Sequence, residues 1–268
     1  MNKSVSWQLQ MFEKTLKKKL RLQHLKNHIK SLNPSDRCIL ITCGDNNGAM
    51  NYHLRSLGGN WSWADLEEKS IAEMEHLLGD EVSHVTAKLP YEDGAFDLVI
   101  AIDVHEHLDN PIIFTKEIHR ITRPGGKIII TVPNGDETKI ATRIKNAVGM
   151  TKERYGHVRE GYDIPELKEI MRKCNIEPVT ESSFSGFFTE MLELFINFLY
   201  VVVLAKKSKA KVETGTIAPS TKDQLKSVKN TYHAYSLIYP FFFLISKLDF
   251  LVAFTRGYAV MVQGRKYK

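Results

Sequence analysis

A loop reading Cys43-Gly44-Asp45-Asn46-Asn47-Gly48 follows a short apolar run, and Asp65 comes seventeen residues after Gly48. Glycines at such a turn let a ligand approach the backbone, and the N-terminus of a following helix favours an anionic group there. The tighter G-x-G-x-x-G pattern that seats a dinucleotide pyrophosphate is absent. Asp65 stands past a second strand, where a carboxylate can take both hydroxyls of a ribose; the plainer alternative is a cap for the next helix. Three histidines, His105, His107 and His157, are the candidates for proton removal from oxygen, since imidazole is the side chain type whose unperturbed pKa lies near neutrality. Arg159, two residues after His157, is a side chain for a substrate phosphate or carboxylate; loop-fixing hydrogen bonds would explain the His157–Arg159 pair equally well.

The elements that must position these groups alternate regularly. Arg37 to Cys43 is an apolar run ended by Gly44, the pattern of a buried parallel strand. Helix is expected over 49–57 and 67–78, strand over 60–63, 81–86 and 96–102. A further helix over 111–121 is broken by Arg123-Pro124-Gly125-Gly126, and strand follows over 127–132. Asp163-Ile164-Pro165-Glu166 reads as a capped helix start, with the helix running to about Lys173. Strands over 176–182 and 258–263 complete the pattern. Right-handed crossovers of this kind give a doubly wound sheet that binds ligands at the carboxyl ends of its strands.

Three stretches carry a family resemblance. Leu89-Pro90-Tyr91-Glu92-Asp93-Gly94-Ala95-Phe96-Asp97 resembles the LPF-x-D-x-x-FD segment of class I S-adenosylmethionine (SAM)-dependent methyltransferases. Asp103-Val104-His105-Glu106-His107-Leu108 is similar to their VLEHL segment, and Arg120-Ile121-Thr122-Arg123-Pro124-Gly125-Gly126 to their turn before the fifth strand. Gly156-His157-Val158-Arg159-Glu160 resembles a segment of a subgroup associated with envelope and polysaccharide biosynthesis. The resemblance covers about residues 37–183. It implies an α/β, Rossmann-like, mostly parallel seven-stranded sheet with helices on both faces. It also implies SAM held by Thr42, Gly44, Asp45, Asn46, Gly48, Asp65, Leu66, Leu89 and Asp103. His105 and His157 are then the expected catalytic bases, Arg159 and Tyr162 the substrate contacts, and no metal is expected. His107 is expected to be structural, tying its loop to the sheet. Thr42 and Asn46 depart from the family's usual Asp and Gly, so an inactive methyltransferase-like scaffold is the first competing reading.

Around this core lie a basic helical segment (1–36), an apolar helical insertion (184–257) with a polar linker (206–230), and a closing strand (258–268). Net charge is +6, concentrated in Lys14–Lys30 and Lys206–Lys211 and read as solvated faces. A nucleic-acid methyltransferase is disfavoured, because the fourth strand ends in Ile102-Asp103-Val104-His105 and the Asn/Asp-Pro-Pro-aromatic motif is missing. Three cysteines without metal spacing and no apolar leader suggest a cytoplasmic protein. The apolar runs 191–205 and 235–254 are interrupted by charge or proline and fit a surface, lid or interface better than a span. A small-molecule or lipid-linked acceptor methylated at oxygen, peripheral contact with the inner face of a membrane, and a homodimer are the partner expectations.

Overall fold

The structure is a computed structural model describing residues 6–44, 47–85, 88–204, 219 and 221–267. Its sheet contains β1 (Arg37–Thr42), β2 (Asn60–Asp65), β3 (Val82–His84), β4 (Phe96–Ile102), β5 (Thr122–Pro133), β6 (Ile176–Phe184) and β7 (Ala259–Lys266) in the order β3-β2-β1-β4-β5-β7-β6. The first five strands are parallel, and β7 is antiparallel to both β5 and β6. The order reverses between β1 and β4, so a crevice forms at their carboxyl ends.

The central strands are apolar on both sides because both faces are covered. Residues 38–42 of β1 are all buried, and alternate side chains feed two cores. One holds Ile39, Ile41, Val99 and Ile130 beneath α5 (Pro111–Ile121) and α7 (Ile164–Lys173). The other holds Leu40, Leu98, Ile100 and Ile129 beneath α2 (Leu16–Ile29), α3 (Ala49–Arg55) and α4 (Glu68–Leu78). The α7 start is the expected one: the Asp163 carboxylate accepts from the Glu166 amide, and the Glu166 carboxylate accepts from the Asp163 amide.

Much of the resemblance proves to be scaffold. Arg120 donates to Glu117, to Asp93 and to the carbonyls of Leu89 and Tyr91. Glu117 in turn accepts from the Leu89 amide. This network fixes the 89–93 loop to α5, and Leu89, 1% exposed, is a core residue.

The N-terminal segment departs from expectation. It forms two helices, α1 (Trp7–Phe12) and α2; Lys26 of α2 and its C-cap Lys30 are exposed while the other face of the helix is buried. Phe12, Leu22, Leu25 and Ile29 enter the core, and Arg21 is 6% exposed. The alternation of Lys with Leu and Ile had let α2 wrap charge around an apolar stripe.

The two apolar runs take different environments. α8 (Phe187–Phe198) continues as a π-helical segment (Leu199–Leu204) and packs with α6 (Ile140–Ala147) in a satellite core of Met150, Leu194, Tyr200 and Val201. The second run lies in α10 (Lys229–Ser246) and the 3₁₀ segment Lys247–Val252, leaving Leu237, Phe241, Leu244, Phe250 and Phe254 exposed. Part of the expected polar linker is helical: α9 (Lys222–Ser227) and the start of α10 fall within it, while 206–218 lie outside the described residues.

The Lys229–Val252 stretch is long and apolar enough to cross a membrane, with 6% of it buried. Yet both ends are tied to the domain. Tyr232 and Tyr235 donate to the carbonyls of Gln10 and Lys14. Asp249 accepts from the amides of Gly186, Phe188 and Thr189 at the start of α8. α10 therefore runs across the domain surface.

Candidate active site

A cavity of about 430 Å³ opens at the carboxyl ends of the strands. Its sheet side is formed by Cys43 and Asn47 after β1, Glu67 after β2, Asp103, Glu106 and His107 after β4, and Pro133 and Asn134 at the end of β5. Its opposite side comes from α1 and α2 (Met11, Lys17, Arg21), α8 (Leu194, Phe195) and α10 (Tyr235, Ile238, Phe242). The volume is in the range of small-ligand sites, about 300–1,000 Å³.

The β1 loop is built around Asp65. This side chain is 0% exposed. It accepts from the Thr42 hydroxyl (2.5 Å) and from the amides of Gly44 and Glu67 (both 2.8 Å). Burial pushes its carboxyl above the usual range, against the hydrogen bonds of Thr42, Glu67 and Gly44. Thr42, at the position of the family's usual Asp, thus supports Asp65 from the neighbouring strand and is 2% exposed.

Asp65 therefore braces the loop from within, and the carboxylate bordering the cavity at this strand end is Glu67. Gly44 has φ +62°, and a Cβ there would stand 2.5 Å from the Glu67 carboxyl carbon. Glycine is favoured there by the left-handed conformation, and the Glu67 carboxyl fills the space a side chain would take. Gly48 caps α3, Leu66 packs partly buried on the core, and neither borders the cavity. Asp45 and Asn46 lie outside the described residues.

At β4, Asp103 has φ +50° and pairs with Arg21 (2.6 Å). The left-handed conformation is uncommon for a non-glycine residue, and it lies where the chain leaves the sheet. The pair brings α2 across the cavity mouth. Lys17 similarly meets Glu190 (2.9 Å), so these two cations are engaged internally.

His105 takes a place other than the expected one. It is 0% exposed, lies 3.1 Å from the Thr115 hydroxyl and packs edge-on against Phe114 and Tyr162. Burial lowers its pKa to about 3. It is a neutral core residue, directed away from the cavity because it follows Asp103 and Val104 into a 3₁₀ turn (His105–His107) against α5. Tyr162, 1% exposed, donates to the His105 carbonyl. Arg159 stacks on Tyr162 (3.9 Å to the ring centroid) and binds Glu166 and the Gly161 carbonyl. Both expected substrate contacts instead fix the 159–166 segment.

Asp103 and His157 do border the cavity, and their neighbours are the residues that the motifs concealed. Glu106 is 0% exposed with neither carboxylate oxygen hydrogen-bonded. Burial raises its pKa well above the ordinary carboxylate value, reinforced by Asp103. His157 has an unpartnered, buried Nδ1, and its pKa falls to about 3 through burial, with His107 and Lys145 adding to the effect. His107 contacts the Gly156 carbonyl through Nδ1 (3.0 Å), and its ring meets that of His157 edge-on at 4.7 Å. It thus combines the tie to a loop expected of it with a position on the cavity wall.

The His157 loop is held by backbone. The amides of Val158 and Arg159 donate to the Glu106 carbonyl, and that of Tyr162 donates to the Pro133 carbonyl. A Cβ at Gly161 would stand 2.1 Å from the Pro133 oxygen, so only glycine permits this approach. The doublet Glu106-His107 was legible within the VLEHL-like segment; its burial and its meeting with His157 were not.

Comparison with known proteins agrees with this architecture. Residues 41–130 match the family model described as a methyltransferase domain. A ubiquinone biosynthesis O-methyltransferase of Ruegeria pomeroyi is 28% identical over 158 residues, 55% of this chain and 62% of that protein. A probable phthiotriol/phenolphthiotriol dimycocerosates methyltransferase of Mycobacterium ulcerans is 33% identical over 95 residues, 34% of this chain and 36% of that protein. The chain thus spans less than two thirds of the length of these curated relatives. A putative methyltransferase structure from Bacillus halodurans shares the fold, with TM-score 0.55 and 16% identity over 92% of this chain and 99% of that one. The switch-point cavity, the glycine-bearing β1 loop and the strand order give the chain the Rossmann-like fold of class I methyltransferases, and its residues 41–130 are similar to a methyltransferase domain.

Proposed function

We propose that this protein transfers a methyl group from SAM to a hydroxyl oxygen of a small, largely apolar acceptor of lipid character. The observation that carries the reading is the two-sided cavity, with loop ends of a SAM-type sheet on one side and Leu194, Phe195, Tyr235, Ile238 and Phe242 on the other. The curated relatives named for ubiquinone biosynthesis and for phthiotriol dimycocerosates support the acceptor class.

The residues at the strand ends suit SAM. Glu67, against Gly44, stands where ribose hydroxyls would be met. When bound, SAM supplies an already activated methyl group. The chain's own part is to hold the acceptor oxygen in line, keep water out with α1, α2, α8 and α10, and receive the hydroxyl proton. Glu106, on the cavity wall with a raised pKa, is the group for that last step, whereas the lowered pKa of His157 suits it to hydrogen bonding. His105, remote from the cavity, takes no part.

The outer face of α10 supports a cytoplasmic protein lying on the inner membrane surface: its inward residues line the cavity while Leu237, Phe241 and Leu244 face outward. An acceptor partitioned in lipid would reach the cavity beside this helix. The engagement of Lys17 and Arg21 with Glu190 and Asp103 argues against a nucleic-acid substrate.

Calorimetric titration with SAM and S-adenosylhomocysteine, with NAD as control, tests the reading. Micromolar binding of both adenosyl ligands and none of NAD is expected. No binding of either would refute methyl transfer and favour a scaffold.

A further inference from the structure

Glu106, His107 and His157 each direct one potential ligand atom to a common point at the cavity wall, all three atoms lying within 4.8 Å of one another. We propose that these residues form a binding site for a divalent first-row transition ion of the zinc class. The motifs resembling the methyltransferase segments gave no metal, because two ligands come from the turn after β4 and the third from a loop fifty residues later.

Three observations support the site independently of any activity. First, Glu106 is wholly buried and both its oxygens lack a hydrogen-bond partner. An isolated buried carboxylate costs several kcal/mol unless a cation or donor compensates it, so a group of this kind demands a partner. Second, His157 Nδ1 is also buried without a hydrogen-bond partner and so offers an unused lone pair or N–H at this wall. Third, when His107 donates through Nδ1 to the Gly156 carbonyl, its Nε2 is left with a free lone pair. Metal-binding histidines are usually oriented in this way through the ring's other nitrogen.

The geometry needs little adjustment. Three atoms at most 4.8 Å apart always share a point within about 2.8 Å of each; zinc–nitrogen bonds of about 2.0–2.1 Å then require side-chain movements of up to ~0.7 Å. The backbone bonds from Val158 and Arg159 to the Glu106 carbonyl already hold the two ligand segments together. Two imidazoles and one carboxylate select zinc, cobalt, iron or manganese over magnesium and calcium, which prefer oxygen ligands. Three protein ligands leave the remaining position open to the cavity, as catalytic metal sites do. On the methyl-transfer reading, that position is where the acceptor oxygen binds.

Chelator-stripped protein titrated with Co²⁺, followed by its visible absorption bands and by competition with Zn²⁺, tests the site. One equivalent is expected to bind, to be displaced by Zn²⁺ and to raise the melting temperature, while Mg²⁺ does neither. Glu106→Gln and His157→Asn should each weaken Co²⁺ binding tenfold or more. Glu106→Gln should also melt close to wild type without metal, since no hydrogen bond to the carboxyl is lost. Absence of Co²⁺ uptake, or uptake unchanged in both variants, overturns the proposal. SAM titration of the same samples separates the two readings: metal uptake without SAM binding retains the site and rejects methyl transfer, and the reverse rejects only the site.

Discussion

Asp65→Ala is the perturbation that most sharply separates a structural from a ligand-binding carboxylate. In the structure, Asp65 is fully buried and accepts from one hydroxyl and two backbone amides at 2.5–2.8 Å. Truncation leaves three donors unpaired around a small void, each worth about 1–3 kcal/mol when buried. The Glu67 amide is at the edge of the loop and regains water, so the total should be about 3–5 kcal/mol, a large share of a typical 5–15 kcal/mol domain stability. Asp65→Asn keeps an acceptor for the amides and should cost only about 1–2 kcal/mol. Urea unfolding at fixed pH reads the difference through the midpoint, with an unchanged slope showing that the unfolded state is unaffected. Coupling should appear with Thr42→Val, since the two side chains share a bond across β1 and β2. If Asp65→Ala unfolds within about 0.5 kcal/mol of wild type while SAM affinity falls, the carboxylate belongs to the ligand and the bracing argument is wrong.

Other consequences are equally direct. Glu67→Gln should raise the dissociation constant for SAM about tenfold or more with little change in melting temperature, since removing one charge-assisted bond costs about 1.5–3 kcal/mol; unchanged affinity would remove Glu67 from the ribose position. Asp249→Ala removes the acceptor for three amides at the α8 start; a loss of about 1–2 kcal/mol and faster hydrogen exchange at Phe188 and Thr189 are expected. Hydrogen bonds from Arg120 hold the Glu117 carboxyl below its usual range, against partial burial. A depressed carboxyl stabilises above the unfolded pKa of about 4.3 and loses that contribution as pH falls through the folded value, so the stability gap between wild type and Arg120→Ala should be larger at pH 7 than at acid pH. A Phe241→Ser/Leu244→Ser variant, changed at positions 66% and 64% exposed, should lose flotation with anionic vesicles while melting as wild type does; retained flotation would place membrane contact elsewhere.

The sheet and its switch point follow from features short in sequence. Runs such as Arg37–Cys43 and Phe96–Ile102 have the continuous apolar character of strands covered on both faces, and the turn residues between them leave little freedom in their order. The Asp163–Glu166 cap is also local, because its two hydrogen bonds join residues three apart. The site was only partly legible for the opposite reason. His105 and His107 are two residues apart in one turn, yet packing against Thr115 takes the first into the core while the second reaches His157. Periodicity carries no record of such a choice, which depends on what α5 and the 156–162 loop present to that turn. Arg21 was read as part of a solvated basic face, but its partner Asp103 lies eighty-two residues away. Likewise, Asp65 and Glu67 are both acidic residues beyond β2, and only the position of the Gly44 amide turns one inward and leaves the other at the cavity. The sequence by itself determined the layers and the end of the sheet where chemistry belongs, since those rest on local pattern and chain handedness. Which carboxylates and histidines border the cavity was decided by long-range packing, because burial and partnership arise only when distant segments meet.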